Sequence, residues 1–442
     1  MLMKCLKYRI TTSLLMLCLL CFAAQVYAGE YKPGRSGSSE RIAQASPEML
    51  YLGYIKKVRG VINDSFYKPV TEQTLAGGAF RAMKKVLPDV QIPKNAGWNT
   101  FDSLYISNCS GDPRKAAMVG EASLDGMVEA LNDPYSVLLT PSKRAILEGG
   151  DGSGIGVEMG ARKGKIVVIA PIAGSPAEKA GLKSGDQIVA IRGKSVRNYT
   201  LYNASMLITG KRGESIDITV ERNGKPITVR PVFQPLKIEP VKYMMLSGNV
   251  GYIRIGIFTG KIFSEVQYAI NYMKKNNAAG LILDVRNNPG GDFDEALKIA
   301  ARFVPSGTLV WVVGKDGTPK AKSSGSNETF PAPVVILINE GSASASEVMT
   351  AAIGGNGKAV VMGRRSFGKG VVQTVYKLTG GAMLNLTTDK YLTPGKHDIH
   401  EIGITPQIIL ESTSQNPDPV KDKFVMEAWK YVKAGKDKAG SF

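Results

Sequence analysis

Residues 333–355 read PVVILINEGSASASEVMTAAIGG, and their sense decides the fold. VVILI is a short unbroken apolar run, the pattern of a strand buried on both faces. SEVMTAAIGG follows almost at once and favours a helix. A buried strand turning directly into a helix is the repeating half-unit of a parallel α/β sheet, and such sheets gather their chemistry just past the carboxyl ends of the strands. Ser342, Ser344 and Ser346 stand at that point, with Ala343 and Ala345 between them. A helix N-terminus offers unpaired N–H groups and a partial positive charge, which suit the oxyanion of an acyl transfer. The plainer reading is that Ser342 caps the helix and the other serines are small packing residues.

The same rhythm continues on either side. VGYIRIGIF reads as a strand, SEVQYAINYMKKN as a helix, and AGLILDVRNNPGG as a buried strand ending in a turn. EALKIAARFV is helical, while KAVVMG and GVVQTVYKL are strands. Residues 236–411 are therefore expected to form an α/β core on a mainly parallel sheet. Before it, residues 150–235 alternate as short strands with two short helices and an RNGKP hairpin turn, a small β-rich domain. Residues 48–148 carry helical spacing, interrupted by the turn-rich stretch 90–112. Residues 29–47 are rich in Gly, Ser, Arg and Gln and read as a flexible linker. Residues 412–442 are a polar, partly helical tail.

The first 28 residues have a basic start (Lys4, Lys7, Arg9), a short apolar run and a small residue before Gly29, the form of a secretory signal peptide. Its apolar run falls short of the roughly 20 residues that span a bilayer. Removal takes Cys5, Cys18 and Cys21 and leaves Cys109 alone, expected as a free loop thiol with no internal disulfide partner. The net charge of the 442-residue chain is +18, or +15 without the three leader cations. For an exported chain that field suits an anionic membrane face or cell-wall polymer; nucleic acid is not an expected partner.

A nucleophilic serine needs a base. His397 and His400 are the two histidines, both in a turn-rich segment, and a Ser-His-Asp arrangement through one of them is an option. No G-x-S-x-G elbow surrounds Ser344. Lys369, in GRRSFGKGVVQT, is the alternative: a lysine serves as a base only when neutral, which burial in an apolar pocket promotes. Gln373 lies four residues on and could orient the amine without adding charge. Gly290 or Gly291, in the turn RNNPGG, could supply one oxyanion N–H, and Ala345 or Ser344 the other. Arg286 is expected to pair with a nearby carboxylate.

Taken together, GSASASE, SFGKGVVQ, YLTPGKHDIHEIGITP, RNNPGG and DPYSVLLTP resemble the carboxyl-terminal processing (tail-specific) proteases, peptidase family S41, over about residues 50–411. That resemblance selects Ser344 as nucleophile, because Lys369 follows it by the family's 25 positions, with Gln373 as third member. It places the oxyanion donors at Ala345 and at Gly290 or Gly291. The 150–235 domain resembles a PDZ module, with SPAEKAGLKSGDQIVAIRGKSV as its body. Ser153, Gly154, Ile155, Gly156 and Val157 would hold a peptide's terminal carboxylate, the peptide adding as a strand.

The resemblance implies a multidomain α/β protein: a helical N-terminal domain, a small barrel-like PDZ domain and a crotonase-like ββα core. It implies a serine endopeptidase, without metal or cofactor, whose partners are proteins or peptides with free C-termini. An adaptor protein and a second copy of the chain stay open as further partners. The chain departs from the family at GGNGK (354–358), expected to loosen the helix end, and at RRS (364–366), which adds charge near Lys369. A silent PDZ scaffold and an acyl-CoA enzyme of the crotonase type are the competing readings; a site assembled only when the PDZ domain binds a ligand is compatible with the main one.

Overall fold

A computed structural model describes residues 4–5, 24–25, 46–141, 143–144, 153–326, 329–378, 381–411 and 416–435. The stretch read as a signal peptide, apart from the two-residue strands Lys4–Cys5 and Ala24–Gln25, and nearly all of the stretch read as a linker lie outside the described residues.

Four helices open the chain: α1 Pro47–Ser65, α2 Glu72–Val86, α3 Trp98–Cys109 and α4 Pro113–Glu129. Thr71 caps α2 by accepting the Thr74 N–H. The stretch 90–112 corrects the sequence reading, because α3 occupies its second half. Pro93, Gly97 and Gly111 lie outside the helix, and Phe101, Tyr105 and Cys109 recur every four residues on its buried face. Cys109 is consequently a core residue and not a loop thiol, and burial pushes its thiol above the ordinary range. Strand β1, Val137–Leu139, then leads away from the helices.

The second unit holds β2 Val157–Arg162, β3 Lys165–Pro171, α5 Pro176–Lys179, β4 Gln187–Ile191, α6 Leu201–Met206, β5 Ile218–Arg222 and β6 Lys225–Val229. The sheet order is β6–β5–β4–β3–β2, so β2 forms one edge. Val157 and Met159 point into this unit's own core.

The third unit begins with the antiparallel pair β7 Val241–Leu246 and β8 Val250–Ile255. Then follow α7 Ile262–Lys275, β9 Gly280–Asp284, α8 Phe293–Ala300, β10 Gly307–Val313, β11 Pro319–Ser324, β12 Val334–Ile338, α9 Ala345–Gly355 and β13 Val360–Gly363. β14 Val371–Lys377, β15 Met383–Leu392, β16 Ile408–Ile409 and α10 Lys423–Lys433 complete it. β8, β9, β12, β13 and β16 are successive parallel neighbours, the mainly parallel sheet expected. α7, α8 and α9 bury one face of this sheet. The other face is covered by α10, whose Phe424, Val425, Ala428 and Val432 pack on Tyr252, Ile282, Val335 and Leu337. The end of the chain, read from sequence as a tail, is thus built into the core. A second sheet, β11–β10–β15–β14, takes β1 onto β15 and joins the core to the N-terminal helices.

One ion network locks the end of β9. Arg286 donates to Asp284 at 2.6 and 2.9 Å and to Asp422, the N-cap of α10, at 2.9 Å. Burial opposes the charged form of Asp284, but the guanidiniums of Arg286 and Arg254 and the Arg286 hydrogen bonds overcome it and hold the carboxyl down to about 2. Its stabilising share is complete above the unfolded value of about 4 and is lost as the pH falls through about 2. Arg286→Met leaves the buried Asp422 without its Arg286 partner and Asp284 with only the Arg254 contact at 3.3 Å. Urea unfolding near pH 7 should show a loss of about 3–5 kcal/mol, shrinking toward pH 2 as Asp284 protonates.

Candidate active site

The loop from β12 to α9 is stapled by two of its three serines. Ser342 Oγ accepts the Asn339 N–H at 3.0 Å and donates to Val285 O at 2.7 Å. Ser346 Oγ donates to Asn288 O at 2.8 Å. Ser342 therefore ties two strand ends together and does not cap the helix; Ser344 is the N-cap residue. Its backbone stands at φ 53°, ψ −118°, a conformation that costs a residue with a side chain on the order of 1–3 kcal/mol. A strained strand-to-helix turn thus forms at Ser344 without the G-x-S-x-G motif, and the serine itself is buried.

Glu347 holds the turn in place. Its Oε2 accepts the N–H of Ser344 at 2.9 Å and of Lys369 at 2.8 Å. Its Oε1 accepts the Gly368 N–H at 2.7 Å and the Ser366 hydroxyl at 2.5 Å. Burial pushes this carboxyl up, and the four donors work in the opposite direction. Two further bridges join the same loops: Tyr391 Oη donates to Lys369 O at 2.6 Å and lies 3.2 Å from Ser344 O, and the Phe367 N–H donates to Ser342 O at 2.9 Å. Serine and lysine loops thus form one rigid piece. Lys369 is 6% exposed, with Nζ 4.7 Å from the Tyr135 ring centroid. Gln373, 3% exposed, donates Nε2 to Thr387 Oγ1 at 3.2 Å, beside an irregularity in the β14–β15 ladder. His397 and His400 make no hydrogen bond to Ser344 among the described residues.

The NNPGG turn abuts the serine. At Gly290, φ 109°, a side-chain carbon would meet Ser344 Cβ at 2.8 Å and Ala345 N at 3.0 Å. Ala345 is the first helical residue, whose N–H has no acceptor within its own helix. Gly290 differs from expectation, since it donates its N–H to Asn288 Oδ1 at 2.9 Å. The bridge between Phe258 and Gly291 uses Gly290 O and the Asp292 N–H, leaving the Gly291 N–H outside it. Ala345 and Gly291 are the donors the geometry favours.

The β2–β3 hairpin covers this assembly. Val167, Ile169 and Ala170 pack on Ala343 and Phe367. Gly160 faces Phe367, with 3.0 Å between its absent Cβ and the ring, and the Arg162 guanidinium lies over that ring. Tyr135 Oη donates to Ala161 O at 3.2 Å. Glu158 belongs to the same face of β2, alternate to Val157 and Met159. Burial raises its carboxyl to about 8, and the charge of Lys369 pulls against that rise. Sequence reading had no sign of Glu158, because a lone acid on an edge strand normally faces water. A cavity of about 500 Å³ opens beside this hairpin, lined among others by Asp133, Ser136, Ala161, Lys165 and Tyr202. At the carboxylate-binding stretch, Ser153–Gly154 pairs with Gln234–Pro235, Ile155 is buried, and Gly156, φ 71°, lies against Ser175.

At RRS, one of the two departures noted in the sequence, Arg364 reaches Glu340 at 3.4 Å. The α9 end is not loose: Asn356 Nδ2 donates to Ala352 O and Thr308 O.

The structure thus brings together a strained serine at a helix start and a buried lysine whose backbone is bonded to the same carboxylate, beside the Ala345 and Gly291 N–H groups. The peptidase family S41 profile matches residues 249–410 and a PDZ-domain profile residues 153–230. A probable CtpA-like serine protease of Staphylococcus haemolyticus is 37% identical over 73% of this chain and 66% of its own length. A carboxyl-terminal-processing protease of Synechocystis is 33% identical over 65% and 70% respectively. The solved photosystem II D1 C-terminal processing protease superposes with a TM-score of 0.69 at 28% identity, covering 85% of this chain and 95% of that one. The chain belongs to peptidase family S41 and carries a PDZ domain.

Glu347→Gln keeps the size of the central residue but turns an N–H₂ toward donors. Single-turnover cleavage should slow about a hundred-fold, the cost of misplacing reacting groups by around an ångström. Circular dichroism should still report a folded chain.

Proposed function

We propose that the protein is an exported serine endopeptidase that takes unfolded or precursor polypeptides by their C-terminal tails and cuts them with a Ser344–Lys369 dyad assisted by Gln373. The observation that carries this reading is the single carboxylate of Glu347, which receives the backbone N–H groups of both Ser344 and Lys369. In the reaction, neutral Lys369 takes the Ser344 proton as Oγ attacks the scissile carbonyl. Ala345 and Gly291 N–H groups receive the oxyanion. Lys369 then protonates the leaving amine, and water releases the acyl-enzyme. The tail would add as a strand to the free edge of β2, alongside α6, and run toward the core through the adjoining cavity. Export rests on the leader pattern; no helix among the described residues is long and apolar enough to cross a membrane.

The test follows cleavage of a permanently unfolded polypeptide with an apolar tail by intact mass from pH 6 to 10. The parent chain should cut, with activity rising through a group well below the ordinary lysine value of about 10.4. Ser344→Ala and Lys369→Ala should abolish cleavage while Ser344→Ala still binds the tail. Equal cleavage by all three chains sinks the dyad; tail binding without any cleavage favours a scaffold.

The docked hairpin supports a second layer, a PDZ domain that holds the site closed until a tail arrives. Docking buries Glu158 and raises its carboxyl from the free value of about 4.3 to about 8. The closed form thus binds a proton more tightly than an open one, so closure is favoured at low pH and weakens as the pH climbs through about 8. A fluorescence pair across the PDZ domain and core should report progressive opening between pH 5 and 9. Glu158→Gln should flatten that dependence.

A further inference from the structure

The amine of Lys369 must aim its lone pair at Ser344, and an acceptor for one of its N–H groups would fix that aim. In Gln373 the acceptor is Oε1, yet a carboxamide can present either end. We propose that Asp133, acting through Thr387, is the positioning residue that sets which end of the Gln373 amide faces the lysine. The inference rests on the Ser344–Lys369–Gln373 reading above.

The argument is an inventory of hydrogens. Gln373 and Thr387 are direct cross-strand partners on β14 and β15, and Thr387 is fully buried. The Thr387 hydroxyl lies 2.7 Å from Asp133 Oδ2, and the Ser136 hydroxyl lies 2.6 Å from the same oxygen. An ionised carboxylate only accepts, so both hydroxyls must give it their single hydrogen. Ser136 Oγ then accepts the Thr387 N–H at 3.1 Å, which closes the circuit. Thr387 Oγ1 has no hydrogen left and can only accept from Gln373. That demands Nε2 at the 3.2 Å contact and turns Oε1 away from Thr387. The same short turn carries Tyr135, whose ring stands under the Lys369 amine at 4.7 Å. One segment, Asp133 to Ser136, thus touches the base directly and its orienting amide through Thr387.

Asp133→Asn breaks this logic, because its own N–H₂ can now donate to Thr387. The freed threonine hydrogen then turns to Gln373, the amide flips, and a donor faces the amine. Two readouts on the full chain test it: cleavage of the unfolded polypeptide, and phosphonylation of Ser344 by a fluorophosphonate with loss of fluoride, read by intact mass. Asp133→Asn should lower kcat and the phosphonylation rate about ten-fold with KM unchanged, within the range of a misaligned general base. Thr387→Val should do the same, and Thr387→Ser should restore most of the loss. In a Gln373→Ala chain, Asp133→Asn should add nothing, since it has no amide left to orient.

The proposal is overturned if Asp133→Asn acts at parental rate, or if its effect multiplies undiminished in the Gln373→Ala background. It is equally overturned if Thr387→Ser is as slow as Thr387→Val, or if Gln373→Ala is as fast as the parent. Failure of the underlying dyad has a different signature: Ser344 in the parent resists phosphonylation, or Lys369→Ala is phosphonylated as fast as the parent.

Discussion

Everything catalytic in this protein depends on one buried carboxylate accepting four hydrogen bonds. Glu347 lies one turn into α9, reaches back to the strained Ser344 and across to the Ser366–Lys369 loop. A carboxylate in such a place is costly unless its lone pairs are engaged, and here three of the four donors are backbone N–H groups that cannot rotate away. The strain at Ser344 persists because the surroundings over-determine it. Glu347 holds its N–H, Tyr391 approaches its carbonyl, and the serines on either side are bonded to the β9 end.

The remaining architecture brings separate units to that cluster. The parallel sheet delivers the serine turn and the NNPGG turn side by side, since β9 and β12 are neighbours and both run toward the same end. The second sheet delivers Gln373 and Thr387, and β1 pairs with β15 to bring the Asp133–Ser136 turn beneath the lysine. The PDZ hairpin closes the top through apolar contact with Ala343 and Phe367. The buried lysine therefore has walls from three units, and its surroundings change if any one of them moves.

Much of this was legible in the chain. The α/β core follows from unbroken apolar runs alternating with helical spacing, whereas the choice of Ser344 rested on the resemblance to family S41, whose serine-to-lysine interval this chain shares. What was not legible depended on partners distant in sequence. Glu347 is visible in GSASASE, but nothing nearby says that its oxygens serve a loop some twenty residues on. Glu158 sits in a strand whose alternation predicts a solvent-facing acid, and only docking onto the core buries it. Helix α3 was hidden because Pro93, Gly97 and Gly111 bracket a four-residue apolar repeat. The last helix looked like a polar tail because its apolar stripe is narrow; Asp422 and Arg286 anchor it across 136 residues.

The bond from Thr387 to Asp133 spans 254 positions, and that distance has a meaning in time. A chain is made from its N-terminus, so the Asp133–Ser136 turn exists long before the strand it bonds. Helices and PDZ domain can fold early from local contacts, whereas the site must wait for pairings of long range, which form late. An incomplete copy is thus a collection of domains with no cutting edge. For an enzyme whose proposed diet is unfolded protein, slow topology protects its own newborn siblings.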